Sequence, residues 1–297
     1  MTTQTFTSVI DHSSDAGFRA WAQELSNALV SAGLVRAADT GQINFSTVTR
    51  PGTNTAGGYE IMRFNDSLQE TAPIFLKIEY GTDWSAANPQ CWITVGTGSN
   101  GSGTLTGQTS TRTTWTFGSA LYSTVTAYPS YVCVAPGHVG VAWKLGAYSG
   151  NGGFGFMAIV RTHDTAGAPT GTGFVVYFSP TSGSVLNSQS VRTAVTAVTY
   201  PVTTSNCIIP GQPLASLVGS SIQVYANFAI SPQVWTLPTL ASVILTEAPP
   251  NTTLSVAMVG STPRTLLSIG GGSGFYPALV DVGPGAVGTY GIAMLWE

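Results

Sequence analysis

The chain has 297 residues, of which only 23 are charged, 10 basic and 13 acidic. This share of 8%, against roughly 25% in an ordinary soluble domain, excludes a helical bundle or coiled coil with long charged faces. The net charge of −3, without a basic block, argues against a nucleic-acid partner held by phosphate contacts. Threonine (40), glycine (35) and serine (30) dominate instead, which is typical of short strands and many turns.

In chain order, the first predicted element is an amphipathic helix over residues 15–32. Ser13, Ser14 and Asp15 supply side-chain oxygens that can cap its first backbone N–H groups. Apolar residues then recur at three- and four-residue spacing, and Gly33 suits the position just after a helix C-terminus. We expect this helix to cover one end of a β-domain core; the alternative is a docking helix for a partner.

Alternating strand patterns follow, separated by Gly, Pro, Asn and Ser at the spacing of a β-sandwich or barrel. The predicted fold class is therefore mainly β, with β-sandwich or jelly-roll-like sheets and one N-terminal amphipathic α-helix. The segment 179–213, rich in Ser, Thr, Val and Pro, is interpreted as a long connection. We accordingly predict a docking and assembly domain over residues 1–180, with the helix and a β-domain. Residues 181–297 would form a second β-domain or continue the same sandwich.

Motifs for catalysis or cofactor binding are weak in this sequence. Residues 96–101 read G-x-G-x-x-G, but the following Gly- and Thr-rich run cannot open the helix that a dinucleotide site needs. A glycine-rich turn between strands is predicted there. His12, His138 and His163 are far apart and show no metal-ligand spacing. We therefore predict no catalytic residue, no cofactor and no metal site.

The acidic residues also argue against glycan hydrolysis, which needs two convergent carboxylates. Residues 84–297 contain only four acids, one of them C-terminal: Asp164, Glu247, Asp281 and Glu297. Four more acids lie close in sequence, with Arg63 and Lys77 among them, and are interpreted as a solvated face: Asp66, Glu70, Glu79 and Asp83.

The cysteines and the N-terminal segment indicate the cellular setting. Cys91, Cys133 and Cys207 are odd in number and widely spaced, so three reduced thiols are predicted. The start, MTTQTFTSVIDHSSD, lacks the basic and apolar regions of a secretory signal. The densest apolar run, residues 154–160, is far shorter than the roughly 20 residues of a spanning helix. We expect synthesis in a cytoplasm and no membrane insertion.

Three segments of the first third resemble virion proteins of tailed bacteriophages: residues 13–35 (SSDAGFRAWAQELSNALVSAGLV), 58–82 (GYEIMRFNDSLQETAPIFLKIEYGT) and 91–107 (CWITVGTGSNGSGTLTG). The glycine- and threonine-rich remainder, which ends in YGIAMLWE, is similar in style. The resemblance implies a non-enzymatic virion component of the tail tip, baseplate or tail fibre region, assembled in the bacterial host cytoplasm. A head decoration or collar protein is the alternative, and a glycan-degrading tail enzyme is a second one.

Other virion proteins are the expected partners, and a host cell-surface receptor is a further candidate for host attachment. Few surface charges, and strand edges without lysine, favour self-association. We therefore predict a homo-oligomer, and the resemblance to tail parts favours a trimer. The helix is the expected docking end, and loops 96–108 and 149–155 are the expected outward tips.

Overall fold

The computed structural model describes residues 2–9, 13–83, 88–108, 112–116, 127–144, 154–163, 169–178, 187–192, 200–201, 222–230, 233–244, 253–256, 264–271 and 290–296. Over these residues the chain is mostly β, with four antiparallel sheets and one helix, α1 (Asp15–Ala32). The mainly-β prediction is confirmed at this level. The helix occupies the range that the apolar spacing predicts.

The described strands follow in chain order: β1 (Thr2–Val9), β2 (Val35–Arg36), β3 (Ala56–Arg63), β4 (Phe75–Thr82), β5 (Pro89–Gly96), β6 (Gly98–Ser99), β7 (Leu105–Thr106), β8 (Thr113–Thr116), β9 (Ala127–Ala135), β10 (His138–Lys144), β11 (Phe154–His163), β12 (Pro169–Phe178), β13 (Asn187–Arg192), β14 (Tyr200–Pro201), β15 (Ile222–Ile230), β16 (Gln233–Ile244), β17 (Thr253–Val256), β18 (Arg264–Gly271) and β19 (Tyr290–Leu295).

These strands form three larger sheets and one hairpin. The N-terminal sheet has the order β2-β3-β4-β5-β8, the large sheet β1-β9-β10-β11-β12-β13-β14, and the C-terminal sheet β15-β16-β19-β18-β17. Strands β6 and β7 pair only with each other among the described strands. The N-terminal sheet and the β9–β14 part of the large sheet are meanders. In the C-terminal sheet, by contrast, the chain passes through β17 and β18 before β19 returns to pair with β16, which is a Greek-key order.

Helix α1 begins and ends where its sequence supplies caps. The hydroxyl of Ser14 accepts a hydrogen bond from the Gly17 N–H at 3.1 Å, and Asp15 lies in the first turn, where the helix dipole favours a negative charge. At the other end, Gly33 takes a φ of 132° and donates its N–H to the carbonyls of Leu29 and Val30. The local sequence, Ser14 before the helix and Gly33 after it, therefore determines where the helix begins and ends.

The hydrophobic core lies where α1, the N-terminal sheet and the large sheet meet. The helix contributes residues such as Phe18, Trp21 and Leu25, each at most 1% exposed. A cavity of about 10 Å³ remains at this junction, a volume close to that of a single water. Its lining is apolar throughout: Leu25, Leu29, Leu34, Leu76, Ile78, Ile93, Val139, Val141, Met157 and Ile159. The three elements are therefore packed closely into one core.

The opposite face of the large sheet contacts the C-terminal sheet, through β10 and β11 against β16 and β18. The rings of Tyr131 and Trp296 meet edge to face, with centroids 5.7 Å apart. A Cβ at Gly140 would lie 3.3 Å from Sδ of Met294, so the absence of a side chain there allows the close approach. The central strands of the large sheet are thus buried on both faces, which is why residues 130–135 and 138–142 are buried without alternation.

Two parts of the chain differ from their sequence-based description. Strand β1 (Thr2–Val9) was not predicted, because its alternating threonines leave only Phe6 and Val9 as strongly apolar residues. The segment 179–213, predicted as a long connection, contains β13 and β14, which extend the large sheet from β12. Backbone pairing therefore continues past residue 180, while the division into two domains at that point remains a prediction.

Candidate functional site

Glu60 is the centre of a buried polar cluster between α1 and the N-terminal sheet. Glu60 is 3% exposed. Its Oε1 accepts hydrogen bonds from the hydroxyl of Ser26 at 3.0 Å and from Nε of Arg36 at 2.9 Å. Oε2 accepts one from the hydroxyl of Tyr80 at 2.8 Å. The guanidinium of Arg36 also donates to the Ser26 hydroxyl at 2.7 Å. One carboxylate thereby joins the helix, β2, β3 and β4.

Two ionisable neighbours of Glu60, the Tyr80 hydroxyl and the Cys91 thiol, are held in their neutral forms. Burial raises the pKa of the Tyr80 hydroxyl well above its ordinary range, and the adjacent Glu60 carboxylate raises it further. Burial also raises the pKa of the Cys91 thiol, with Glu60 and Glu79 adding to the rise. A thiol becomes nucleophilic when its pKa is lowered. The chemistry of this cluster is therefore that of a hydrogen-bonded cross-link and not that of an activated nucleophile.

A second buried pair joins the segment after β3 to the large sheet. Nε and Nη2 of Arg161 donate to the two carboxylate oxygens of Asp66 at 2.8 and 3.1 Å. The N–H of Gly137 donates to the same carboxylate at 3.1 Å, and the guanidinium lies 5.6 Å from the ring centroid of Phe64. The two side chains are 0% and 3% exposed. This pair holds the N-terminal sheet region against β11.

The interpretation of the acids between residues 66 and 83 as a solvated face is wrong for two of them. The side chain of Asp66 is buried against Arg161, and Asp83, just after β4, is 3% exposed beside Asn88. Glu79 forms a half-buried ion pair with Arg112 at 2.8 Å, and Glu70 is exposed. The partners of Asp66 and Asp83 come from other parts of the fold, which sequence proximity to Arg63 and Lys77 does not indicate.

The glycine-rich motif forms the exposed β6–β7 hairpin, as the turn interpretation predicts. Asn100 accepts hydrogen bonds at Oδ1 from the N–H groups of Ser102 and Thr104, at 2.9 and 3.1 Å. Asp39 accepts from the Ser99 hydroxyl and, at 3.1 Å, from the N–H of Gly103. No helix follows this motif within residues 96–108. The chain therefore has a hairpin where a dinucleotide site would require a helix N-terminus.

This hairpin presents neutral hydrogen-bonding groups to solvent. Its exposed residues carry no charge: Asn100, Gly101, Ser102, Thr104, Thr106, Gly107 and Gln108. The neighbouring outer face of the N-terminal sheet carries stacked cations, with Lys77 4.8 Å from the Tyr59 ring centroid and Arg112 4.0 Å from that of Trp92. Together, residues 97–108 and this outer face form what we call the hairpin surface. Its exposed hairpin groups are neutral hydrogen-bonding groups, bordered by the charges of Lys77 and Arg112.

Most residues considered for chemistry from the sequence are not brought together. His138 is fully buried in β10, and His163 ends β11. His12, Asp164, Glu247, Asp281 and Glu297 lie outside the described residues, as do Cys207 and the loop 149–153. Cys91 and Cys133 are buried and are not joined in a disulfide.

Within the described part of the chain, no group of three or more His, Cys, Asp or Glu side chains is placed to hold a metal ion. No helix there is both long and apolar enough to cross a membrane. This chain matches no protein-family profile, no curated protein and no solved structure.

Proposed function

We propose that this protein is a non-enzymatic structural component of a tailed-bacteriophage virion, in the tail, baseplate or tail fibre region. It is built of β-sandwich sheets and acts as a homo-oligomer, with a trimer favoured. It docks to other virion proteins and presents the hairpin surface outward, where it contacts a neighbouring protein or a host cell-surface receptor.

The use of the buried charges is the observation that carries the proposal. Glu60 joins α1 to three strands, and Asp66 joins the N-terminal sheet region to β11. Both carboxylates accept several donors each, as structural cross-links do. A scaffold rigidified in this way suits a part that must transmit load within a particle. The resemblance of residues 13–35, 58–82 and 91–107 to virion proteins supports the same assignment.

The sandwich arrangement has its own support in the described strands. The C-terminal sheet contacts one face of the large sheet, and its β16–β19 order is a Greek key. Greek-key connections are found in most β-sandwiches, and jelly rolls contain two of them.

Particles purified from a lysate of the producing phage test the proposal directly. We expect mass spectrometry to find this chain in stoichiometric amount, and antibodies against residues 97–108 to label the tail end in electron micrographs. Label on the head or neck would favour the decoration or collar alternative. A chain absent from particles would contradict the proposal, and clearing of host glycans by the purified protein would favour the enzymatic alternative.

A further inference from the structure

Asp83, just after β4, contacts Asn88, just before β5, and so lies beside the peptide bond between Asn88 and Pro89. Thr82 pairs with Pro89 in the register of β4 and β5, so Asp83 and Asn88 are the next residues outward and lie opposite each other. Both are buried, at 3% and 1% exposure, and Pro89 is buried as well. Asn-Pro occurs once in the sequence, at this position.

Three contacts converge on Asn88. Its side-chain Nδ2 donates to Oδ2 of Asp83 at 2.8 Å. Its carbonyl oxygen accepts a hydrogen bond from the backbone N–H of Asp83 at 3.0 Å, and its own N–H donates to Oδ1 of Asp83 at 3.3 Å. The buried Oδ1 of Asn88 has no hydrogen-bond partner in the described part of the chain. A carboxylate thus contacts the amide nitrogen while a donor polarises the carbonyl of the same residue.

We propose that the chain cleaves itself at the Asn88–Pro89 bond by cyclisation of the asparagine side chain. Asp83 removes a proton from Nδ2, which attacks the Asn88 carbonyl carbon and forms the C–N bond of a five-membered succinimide. The bond from that carbon to the Pro89 nitrogen breaks. Asp83 returns its proton to this nitrogen, which leaves as the secondary amine of a new N-terminal proline.

The contacts give each group a role in this reaction. Asp83 is the general base and then the general acid, a role that contributes typically 10²–10⁴-fold to rates. Its backbone N–H stabilises the negative charge that develops on the carbonyl oxygen. The unpartnered Oδ1 leaves more electron density on Nδ2 than a hydrogen-bonded amide oxygen would. Burial limits competing hydrolysis by water.

Pro89 also prevents the competing deamidation of Asn88. In an Asn-Gly sequence the following N–H attacks the side-chain amide, which leads to deamidation, but Pro89 has no N–H to do so. Cleavage would divide the chain between β4 and β5. The two parts would remain joined by the β4–β5 ladder, from Phe75–Gly96 to Thr82–Pro89, so the fold survives the reaction.

Intact-protein mass spectrometry of the folded wild-type chain, followed over days at neutral pH, tests the inference. We expect two products, residues 1–88 and 89–297, whose masses at the earliest times sum to that of the uncut chain, because residue 88 ends as a succinimide. Hydrolysis of the succinimide then adds one water to the 1–88 product, whereas a contaminating protease would give the product with the added water from the start. A folded chain that keeps its full mass throughout would overturn the inference.

Two variants and a control separate the roles. Asn88→Gln should lose cleavage, because the larger ring closes poorly, and Asp83→Asn should slow it about 10²-fold. Asp39→Asn is the matched control, since Asp39 also accepts hydrogen bonds from a loop but lies after β2, against the β6–β7 hairpin and away from Asn88. If the variants do not fold, the wild-type chain provides the test by itself, because its cleavage should stop when the chain is unfolded in urea. Equal rates in folded and unfolded chains, or in Asp83→Asn and wild type, would show that the contacts do not promote the reaction.

Discussion

The buried ion pair of Asp66 and Arg161 is held by two hydrogen bonds between the side chains, whereas Nη1 of Arg161 has no hydrogen-bond partner among the described residues. Moving each charge out of water costs several kcal/mol, and the interaction of the two charges recovers this cost when the geometry is good. Here two N–H groups of the guanidinium meet both carboxylate oxygens, and the Gly137 N–H satisfies a further lone pair. The contact spans 95 residues of sequence, so it constrains the tertiary structure strongly.

Asp66→Asn should therefore destabilise the fold by about 3–5 kcal/mol, because it leaves the Arg161 charge buried without compensation. Urea unfolding followed by circular dichroism measures this change. Arg19→Gln is the control, since the Arg19–Asp15 pair is 3.8 Å long and its side chains are 32% and 46% exposed. Its loss should cost less than about 1 kcal/mol. Equal effects of the two substitutions would contradict the structural role of Asp66.

The pKa of Tyr80 predicts how stability depends on alkaline pH. Burial, and then the Glu60 carboxylate, raise it above the ordinary value of 10.0, so the folded state holds the neutral phenol. This stabilisation is complete below the unfolded pKa and is lost as the pH rises through it towards the folded pKa. Cys91, whose pKa is raised above 9.0, acts in the same direction and at lower pH. The urea midpoint should fall between about pH 9 and pH 11.

Tyr80→Phe should reduce that fall, because it removes one of the groups whose pKa is raised in the folded state. The same measurements on Tyr131→Phe give a comparison, since Tyr131 is also buried and burial raises its pKa. An alkaline decline of the same size in wild type and Tyr80→Phe would contradict the assignment.

At the scale of the element, the β6–β7 hairpin depends on two glycines for different reasons. Gly103 has a φ of 86°, and a Cβ there would lie 2.2 Å from the Tyr59 ring. Gly101 has a φ of 80°, but a Cβ there would meet nothing within 4 Å. The two positions therefore separate backbone strain from steric overlap.

Gly101→Ala should cost about 1–2 kcal/mol through strain alone, and Gly103→Ala clearly more because the methyl group overlaps the ring. Thermal unfolding of both variants measures the difference. Tyr59→Ala in the Gly103→Ala background should recover the excess, although it also removes the hydrogen bond from the Tyr59 hydroxyl to the Thr40 carbonyl at 2.7 Å. Equal costs at the two glycines would show that the hairpin does not pack on Tyr59.

Elements with local signals were predictable from the sequence. Helix α1 follows from its caps and apolar spacing, and β3, β4 and β5 from alternation between Gly- and Pro-containing turns. Strand β1 was missed because an alternation of threonine with polar residues is also typical of loops. Its place at the edge of the large sheet depends on pairing with β9, more than 100 residues away. Nothing local in residues 2–9 indicates that partner.

The polar clusters were less predictable than the elements. Glu60 reads as one polar residue in an apolar strand, and its partners Ser26 and Tyr80 are apart in sequence. The signal that could have indicated burial is the strand itself: Glu60 alternates in phase with Met62 and so faces the core. Asp66 gives no such signal, because its burial depends on Arg161 reaching it from β11.

At the scale of the whole molecule, the scarcity of charge after residue 83 has a structural cause. A sheet that packs on one face alternates apolar and polar residues, whereas a sheet covered on both faces has no place for charge in its central strands. Strands β9 to β11 lie between the core with α1 and the C-terminal sheet. Lys144 lies at the end of β10, and Arg161, inside β11, is buried together with its own counter-ion Asp66. The low number of charged residues after residue 83 thus reflects both the burial of strands between two other layers and a weakly charged surface.

A weakly charged surface still leaves this protein with little repulsion between copies, and from that we predict a homo-oligomer. Strand β1 lies at the end of the strand order of the large sheet, and Thr2–Val9 contains neither charge nor proline to block edge pairing. We expect light scattering at micromolar concentration to give the mass of a trimer.

Thr5→Lys places a charge at an exposed position of β1 and should lower the oligomeric fraction. The control is Thr104→Lys, which adds the same charge on the exposed hairpin and should leave assembly unchanged. A wild-type protein that stays monomeric over this range would contradict self-association, and equal effects of the two lysines would assign it to general surface charge and not to the β1 edge.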